Sequence, residues 1–126
     1  MDCIFCKIID NQIETYTIYE DDIVKVFLDN SPDFNGHLLI VPKKHILDIN
    51  DMDNNTLLHI HEVSKNMQKL LQERLFIKGL TMLHNSGNAQ NIKHFHLHLI
   101  PRDKTTNEKE EILPLNQIYD LLTKKN

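Results

Sequence analysis

The segment from His94 to Ile100 alternates histidine with apolar residues, and it constrains the fold more than any other part of the chain. Successive side chains of an extended strand point to opposite faces, so the alternation predicts a strand that ends at Pro101. Three imidazoles would then share one face of this strand. Its other face would enter the core with Phe95, Leu97 and Leu99.

The other β-rich segments add four strands. Thr15 to Tyr19 and Ile23 to Leu28 are typical of a hairpin, and the continuous apolar run Leu38 to Val41 is typical of a strand covered on both faces. Leu80 to Leu83 is the remaining strand.

One long helix is predicted over Asn54 to Leu75, where apolar residues recur every three or four positions. Asp53 or Asn54 is suited to cap its start, and Gly79 is a plausible stop signal. Five strands with one main helix predict an α+β fold in a single domain over residues 1 to 126.

Two shorter helices are expected near the ends of the chain, around Ile4 to Ile9 and over Leu115 to Leu122. The charged stretch Arg102 to Glu111 predicts a mobile loop, so residues 102 to 126 are expected to be peripheral.

Composition excludes several classes of partner. Fourteen Lys and Arg against eighteen Asp and Glu give a net charge of −4, which argues against long nucleic acid but leaves a single nucleotide open. The apolar runs are too short to span a bilayer, and the start lacks the features of a secretory signal. We therefore expect a cytoplasmic protein, with the nucleus as a second location, that does not act at a membrane.

Three histidines in one row suit phosphoryl chemistry. A neutral imidazole keeps a free lone pair at pH 7 and can attack phosphorus, provided that an acceptor such as a backbone carbonyl holds the proton on the other ring nitrogen. Flanking imidazoles can bind phosphate oxygens or pass a proton to the leaving group. The alternatives are an exposed amphipathic strand and a surface metal site.

Cys3 and Cys6 are the only cysteines in the chain. A Cys-x-x-Cys pair can supply two thiolates to a tetrahedral zinc ion, but two further ligands are needed. By spacing alone, buried or redox-active thiols remain open as alternatives.

Taken together, these residues resemble the histidine triad (HIT) family. His94 to Ile100 matches its pattern of His, apolar, His, apolar, His, apolar, apolar, and the resemblance runs from Cys3 to about Arg102. It includes the segments Cys3 to Ile9, Phe27 to Asp29, Gly36 to His45 and Asn85 to Gly87. The nearest branch is that of Hint-type nucleoside phosphoramidases and bacterial HIT proteins.

The resemblance implies a HIT-like fold: a five-stranded antiparallel sheet with one long helix and short terminal helices. It also implies a homodimer, in which two sheets join into one of ten strands with the long helices at the interface.

The resemblance also implies residue roles. The middle histidine, His96, would be the nucleophile that forms a nucleotidyl-histidine intermediate, with His94 and His98 beside it and the buried His37 behind the triad. His98 would contact the α-phosphate and bridging atom, and Asp29 would hold the ribose hydroxyls. The remaining nucleotide contacts would come from Phe27 at the base, Asn85 at the phosphate or nucleophile, and Gln90 and Asn91. These last two stand, after a shorter loop, where relatives commonly have Gly-Gln-Ser or Gly-Gln-Thr.

For the metal, the resemblance implies a structural Zn²⁺ held by Cys3, Cys6, His45 and His94, with no cofactor required for catalysis. The implied reaction is hydrolysis of a purine nucleoside 5′-monophosphoramidate, with release of AMP or GMP. The alternatives are hydrolysis of a dinucleoside polyphosphate and a non-catalytic nucleotide-binding adaptor.

Overall fold

A computed structural model describes residues 2–102 and 111–125. It contains three α-helices and five strands, with short 3₁₀ turns at Ile49–Asp51 and Gly87–Ala89. The helices are α1 (Ile4–Ile9), α2 (Asn54–Leu75) and α3 (Leu115–Thr123). Within the described residues, no helix is both long and apolar enough to cross a membrane.

The strands form one antiparallel sheet in the order β1-β2-β3-β5-β4. Their bounds are β1 (Thr17–Glu20), β2 (Val24–Leu28), β3 (Leu38–Pro42), β4 (Gly79–Leu83) and β5 (Leu97–Arg102). The predicted α+β fold with a five-stranded antiparallel sheet is therefore confirmed, and the strand boundaries differ from the predicted ones by a few residues.

Helix α2 has the predicted bounds, but Gly79, the expected stop signal, does not end it. Its start is capped by Asp53, whose carboxylate accepts from the backbone N–H of Thr56 at 3.2 Å. At its end, Phe76 rather than a glycine adopts the left-handed conformation, with φ 56°. Gly79 lies in β4, where an added Cβ would come within 3.0 Å of the Arg102 carbonyl oxygen.

The two faces of the sheet carry separate apolar clusters. On one face, residues such as Val26, Ile40 and Leu99 pack against α2 and α3 in the larger core. On the other face, α1 covers a smaller cluster that contains Cys3, Phe5, Ile8, Phe27, Leu39 and Val41. Helix α3 belongs to the larger core, because its Ile118 and Leu122 are almost fully buried. It is therefore not peripheral.

The last strand starts later than predicted. Strand β5 begins at Leu97, so His94, Phe95 and His96 precede the sheet rather than lying in it. The strand also continues through Pro101 to Arg102. Proline is tolerated there because β3, which pairs with β5 from Ile40↔Leu97 to Leu38↔Leu99, has ended before Pro101.

The predicted loop at Arg102 to Glu111 falls mostly on residues 103–110, which lie outside the described residues. Arg102 itself ends β5. At the other end, the carbonyl of Glu111 accepts from the Asn35 side-chain amide at 2.7 Å, and the Asn35 amide oxygen accepts from Leu113 N–H at 2.8 Å. Asn35 thus fastens the chain that leads into α3.

Candidate functional site

A cavity of about 770 Å³ opens on the face of the sheet that α1 covers. Its apolar side comes from Phe5 and Ile8 of α1 and from Phe27 and Leu39 of the sheet. The polar side chains that line it include Asp29, Asn85, Asn91, His96 and His98. An apolar slot with a few convergent polar groups is the usual form of a small-molecule site.

Most of the predicted nucleotide contacts reach this cavity, and one does not. Phe27, Asp29, Asn85, Asn91, His96 and His98 line it. Gln90 does not line it, because this side chain is buried with its Nε2 donating to the Leu47 carbonyl at 2.7 Å. The loop before the histidine segment thus directs Gln90 inward and Asn91 to the cavity.

Hydrogen bonding assigns the tautomer of His96. Its Nδ1 lies 2.8 Å from the backbone carbonyl oxygen of His94, and a carbonyl can only accept, so Nδ1 carries the proton. Nε2 therefore keeps its lone pair. Phe5 packs edge-on against the same ring, with centroids 5.0 Å apart. A buried, neutral imidazole of this tautomer can act as a nucleophile within the cavity.

A series of two hydrogen bonds, through Asp33 and His37, assigns the opposite tautomer to His98. The backbone N–H of Asp33 donates to His37 Nδ1 at 3.1 Å, so the proton of His37 is on Nε2. That N–H faces His98 Nδ1 at 2.9 Å, which makes His98 Nδ1 the acceptor. His98 therefore carries its proton on Nε2, the nitrogen left for the cavity. The structure thus places His37 behind His98, as expected.

Asp29 lies beside His37 in this series of hydrogen bonds. Its Oδ1 accepts from the Ser31 backbone N–H at 2.8 Å, and its Oδ2 lies 3.5 Å from His37 Nε2. Asp29, His37 and His98 bring one possible ligand atom each close together. Hydrogen bonding within the series Asp33, His37 and His98 accounts for this convergence.

Burial keeps these histidines neutral. It lowers the pKa of His98 to about 4, and the neighbouring His96 and His37 add to that effect. Burial also lowers the pKa of His96, against the opposing influence of the His94 carbonyl and Asp29. The pKa of His37 is lowered by burial as well, although Asp29 and Asp33 oppose the shift. At pH 7 the site therefore offers one lone pair, on His96 Nε2, and one N–H donor, on His98 Nε2.

His94, the first histidine of the row, does not line the cavity. Its ring is fully buried, and its Nε2 donates to the Pro42 carbonyl at 2.9 Å, which leaves the lone pair on Nδ1. This Nδ1 lies 3.4 Å from Cys3 Sγ and 3.1 Å from His45 Nδ1. His94 and His96 lie on the same side, as expected, since both rings pack edge-on against Phe5 and Phe95 lies in the larger core. Only His96 and His98 line the cavity, because the His94 ring lies beside the cysteines.

The four predicted zinc ligands converge. The ligand atoms of Cys3, Cys6, His45 and His94 all lie within 4.8 Å of one another. Four of the distances between them are 3.1, 3.2, 3.4 and 3.6 Å. A tetrahedral zinc ion with bonds of about 2.0 to 2.3 Å holds its ligand atoms roughly 3.3 to 3.8 Å apart. Two of the four distances fall in this range and two are slightly shorter, so the donor set fits zinc in kind and lies close to its spacing.

Sequence reasoning missed Lys25, which has 4% of its surface exposed. Its ammonium group donates to the Ile8 carbonyl at 3.2 Å and to the Asn11 side chain at 3.4 Å, and so holds the end of α1 against β2. The signal was present, since Lys25 interrupts an apolar strand on the same side as Phe27. Phe5 was also missed as a cavity residue, because the Cys3 to Ile9 motif was interpreted only through its two cysteines.

Comparisons with known proteins identify the family of this chain. The HIT domain matches residues 10–105. An uncharacterised HIT-like protein of Borreliella burgdorferi is 37% identical over 108 residues, which are 82% of this chain and 77% of the relative. An adenosine 5′-monophosphoramidase of Saccharomyces cerevisiae is 33% identical over 102 residues, 79% of this chain and 62% of that protein.

Among solved structures, a zinc-bound histidine triad family protein from Mycobacterium smegmatis superposes with a TM-score of 0.87 at 30% identity. The match covers 97% of this chain and 91% of that one. The family match includes the whole histidine segment, from His94 to Ile100. The chain belongs to the HIT family.

Proposed function

We propose that this protein hydrolyses purine nucleoside 5′-monophosphoramidates through a nucleotidyl intermediate on His96. The observation that carries the proposal is the hydrogen bond from His96 Nδ1 to the His94 carbonyl, because it leaves the Nε2 lone pair of a neutral, buried ring for the cavity. The yeast relative named as an adenosine 5′-monophosphoramidase supports this substrate class.

The reaction would proceed in two displacements. In the first, His96 Nε2 bonds to the α-phosphorus, the phosphorus–nitrogen bond breaks, and the nitrogen takes up one proton and leaves as an amine. In the second, water bonds to phosphorus, the bond to Nε2 breaks, and one proton is released with the nucleoside monophosphate. The proton taken up in the first step is balanced by the proton released in the second, and His96 returns to its neutral form.

His98 and Asp29 would hold the substrate for these steps. The His98 Nε2–H is the donor suited to a phosphate oxygen or to the bridging nitrogen. Asp29 keeps acceptor capacity on its carboxylate that suits a vicinal diol such as that of ribose. The cavity side chains of Phe5, Ile8 and Phe27 would enclose the base.

We also propose that zinc occupies the Cys3, Cys6, His45 and His94 cluster. All four positions of a tetrahedral ion would be filled by protein, so the metal would be structural and would leave no place for substrate. Burial and the neighbouring Cys3 raise the pKa of the Cys6 thiol, so that metal binding would release protons.

The homodimer stays a prediction. We propose that β4, one of the two edge strands, joins a second copy, since exposed apolar side chains lie on it and just before it: Met82 is 44% and Phe76 81% exposed. Light scattering on the eluting protein would test this, with a mass near twice 14.8 kDa as the expected result.

Hydrolysis of dinucleoside polyphosphates is the second candidate. It is favoured by the lining of the cavity, which includes Thr15, Tyr16 and Leu115 besides the expected nucleotide contacts. Rates measured side by side on adenosine phosphoramidate and on diadenosine polyphosphate would separate the two reactions.

The deciding experiment for the proposal is to trap the intermediate. The protein is mixed with radiolabelled adenosine phosphoramidate, quenched, and digested to locate an acid-labile nucleotidyl adduct. We expect the label on His96. Efficient turnover with the label on another residue would contradict the proposed mechanism. Absence of turnover on both the phosphoramidate and diadenosine polyphosphate would favour the adaptor alternative.

A further inference from the structure

The nucleophile is oriented by a stretch of chain that the sheet does not hold. Strand β5 begins at Leu97, so the His94 carbonyl that binds His96 Nδ1 belongs to irregular backbone. One backbone bond anchors this stretch, from Phe95 N–H to the Ile46 carbonyl at 2.7 Å. A single hydrogen bond does not by itself fix the direction of the His94 carbonyl, so other contacts must contribute to it.

Burial of Phe95 in the larger core holds one side of this stretch, and the contacts of the His94 side chain hold the other. One of these contacts is the bond from Nε2 to the Pro42 carbonyl, and the others are the approaches of Nδ1 to Cys3, Cys6 and His45. They hold the ring from both of its nitrogens. Because ring and carbonyl belong to the same residue, anything that shifts the ring also shifts the acceptor that assigns the tautomer of His96.

We propose that Cys3, Cys6 and His45 are positioning residues for His96, which they orient through His94. The inference rests on the proposed function only in taking His96 as the nucleophile. None of the three lines the cavity, so none contacts a substrate bound there. In this proposal their effect on the reaction passes through the His94 carbonyl.

His45 gives the cleanest test. The cysteines lie in or next to α1, which also lines the cavity through Ile4, Phe5 and Ile8, so changes at them can alter substrate binding directly. His45 lies beyond the end of β3, on a segment that contributes no side chain to the cavity. A change at His45 therefore separates orientation of the nucleophile from the shape of the site.

The experiment compares His45→Ala with the unchanged protein and with Lys44→Ala, a substitution at the exposed neighbouring residue. Loosening one hydrogen bond of this kind should lower kcat by about tenfold. KM for adenosine phosphoramidate should stay the same, because the cavity is intact. His45→Cys, which restores a side chain able to bind zinc, should recover most of the lost kcat.

A second readout observes the tautomer itself. Nitrogen NMR of the imidazoles should show His96 protonated on Nδ1 in the unchanged protein and in Lys44→Ala. In His45→Ala it should show a mixture of the two tautomers, with faster exchange of the Nδ1 proton. His45→Asn, which keeps a polar side chain, is measured in parallel so that a poorly folded alanine variant does not decide the result.

Two results would overturn the proposal. One is a His45→Ala protein that keeps the full kcat. The other is a variant that loses kcat while the tautomer of His96 is unchanged, which would make the role of the cluster one of general stability. If the unchanged protein does not cleave the phosphoramidate, the proposed function fails, but the NMR comparison still decides whether the cluster orients His96.

Discussion

His37 Nε2 lies 2.9 Å from His98 Nδ1, and this contact gives His98 the opposite tautomer to that of His96. The two cavity histidines thus differ in which nitrogen bears the proton, although they lie two residues apart. The difference arises from their partners, a carbonyl for His96 and a second imidazole for His98. One ring is left to attack and the other to donate.

Replacing His96 by alanine should abolish turnover. Loss of a covalent nucleophile usually costs several orders of magnitude in kcat, and we expect that here for release of AMP from adenosine phosphoramidate. His61→Ala is the matched control, because His61 is an exposed histidine on α2. A His96→Ala protein that retains a tenth of the rate would contradict the assignment.

Acid should destabilise the protein between about pH 6.5 and pH 4. The pKa of His98 falls from 6.5 to about 4 in the folded chain, so within this window the unfolded chain binds a proton that the folded one does not. The stabilisation is therefore complete above pH 6.5 and is lost as the pH falls toward 4. Urea unfolding at several pH values measures it. His98→Asn should flatten this dependence, and an equally steep profile in that variant would count against the assignment.

Metal analysis should find one zinc ion per chain in protein prepared under reducing, chelator-free conditions. Cys6→Ala removes one of four ligands and should lower both the zinc content and the melting temperature, since binding to a structural site also stabilises the fold. Lys7→Ala is a suitable control, because Lys7 is adjacent and does not belong to the cluster. Protein that is well folded but free of zinc would exclude the metal site.

Gly36→Ala should destabilise the fold more than Gly87→Ala. Both glycines have positive φ, 88° and 58°, so each alanine carries a backbone cost of about 1 kcal/mol. At Gly36 the added Cβ would also lie 2.6 Å from Leu75 Cδ1 and 2.9 Å from Leu71 Cδ2, whereas at Gly87 it meets open space. We expect a total of about 1 to 3 kcal/mol at Gly36. Equal urea midpoints for the two variants would show that α2 adjusts without cost.

Much of the fold could be predicted because its signals are local. The apolar period of α2 and the carboxylate of Asp53 lie within the helix or next to it, and both ends of α2 were placed correctly. The start of β5 was misplaced because alternation does not reveal where a neighbouring strand stops. Only Leu97 and the residues after it have partners in β3 or β4. The contact of His94 with Cys3 joins two residues that are far apart in the sequence, so local alternation does not reveal it.

The candidate site was predictable in membership but not in orientation. The resemblance implied that Asp29, His96 and His98 belong to one site, and all three line the cavity. Which nitrogen of each ring carries the proton depends on backbone groups that folding brings near. Gln90 shows the same limit. Its place in the chain suggested a phosphate donor, and a carbonyl at Leu47 binds its amide instead.

Strand β2 divides its side chains between the two faces of the sheet. Val24, Val26 and Leu28 belong to the larger core, while Lys25 and Phe27 serve α1 and the cavity. Point substitutions on the two faces should therefore damage different properties, stability on one and substrate handling on the other. Inserting or deleting a single residue within β2 would exchange the faces, placing an ammonium group in the core and stripping the cavity of its aromatic wall at once.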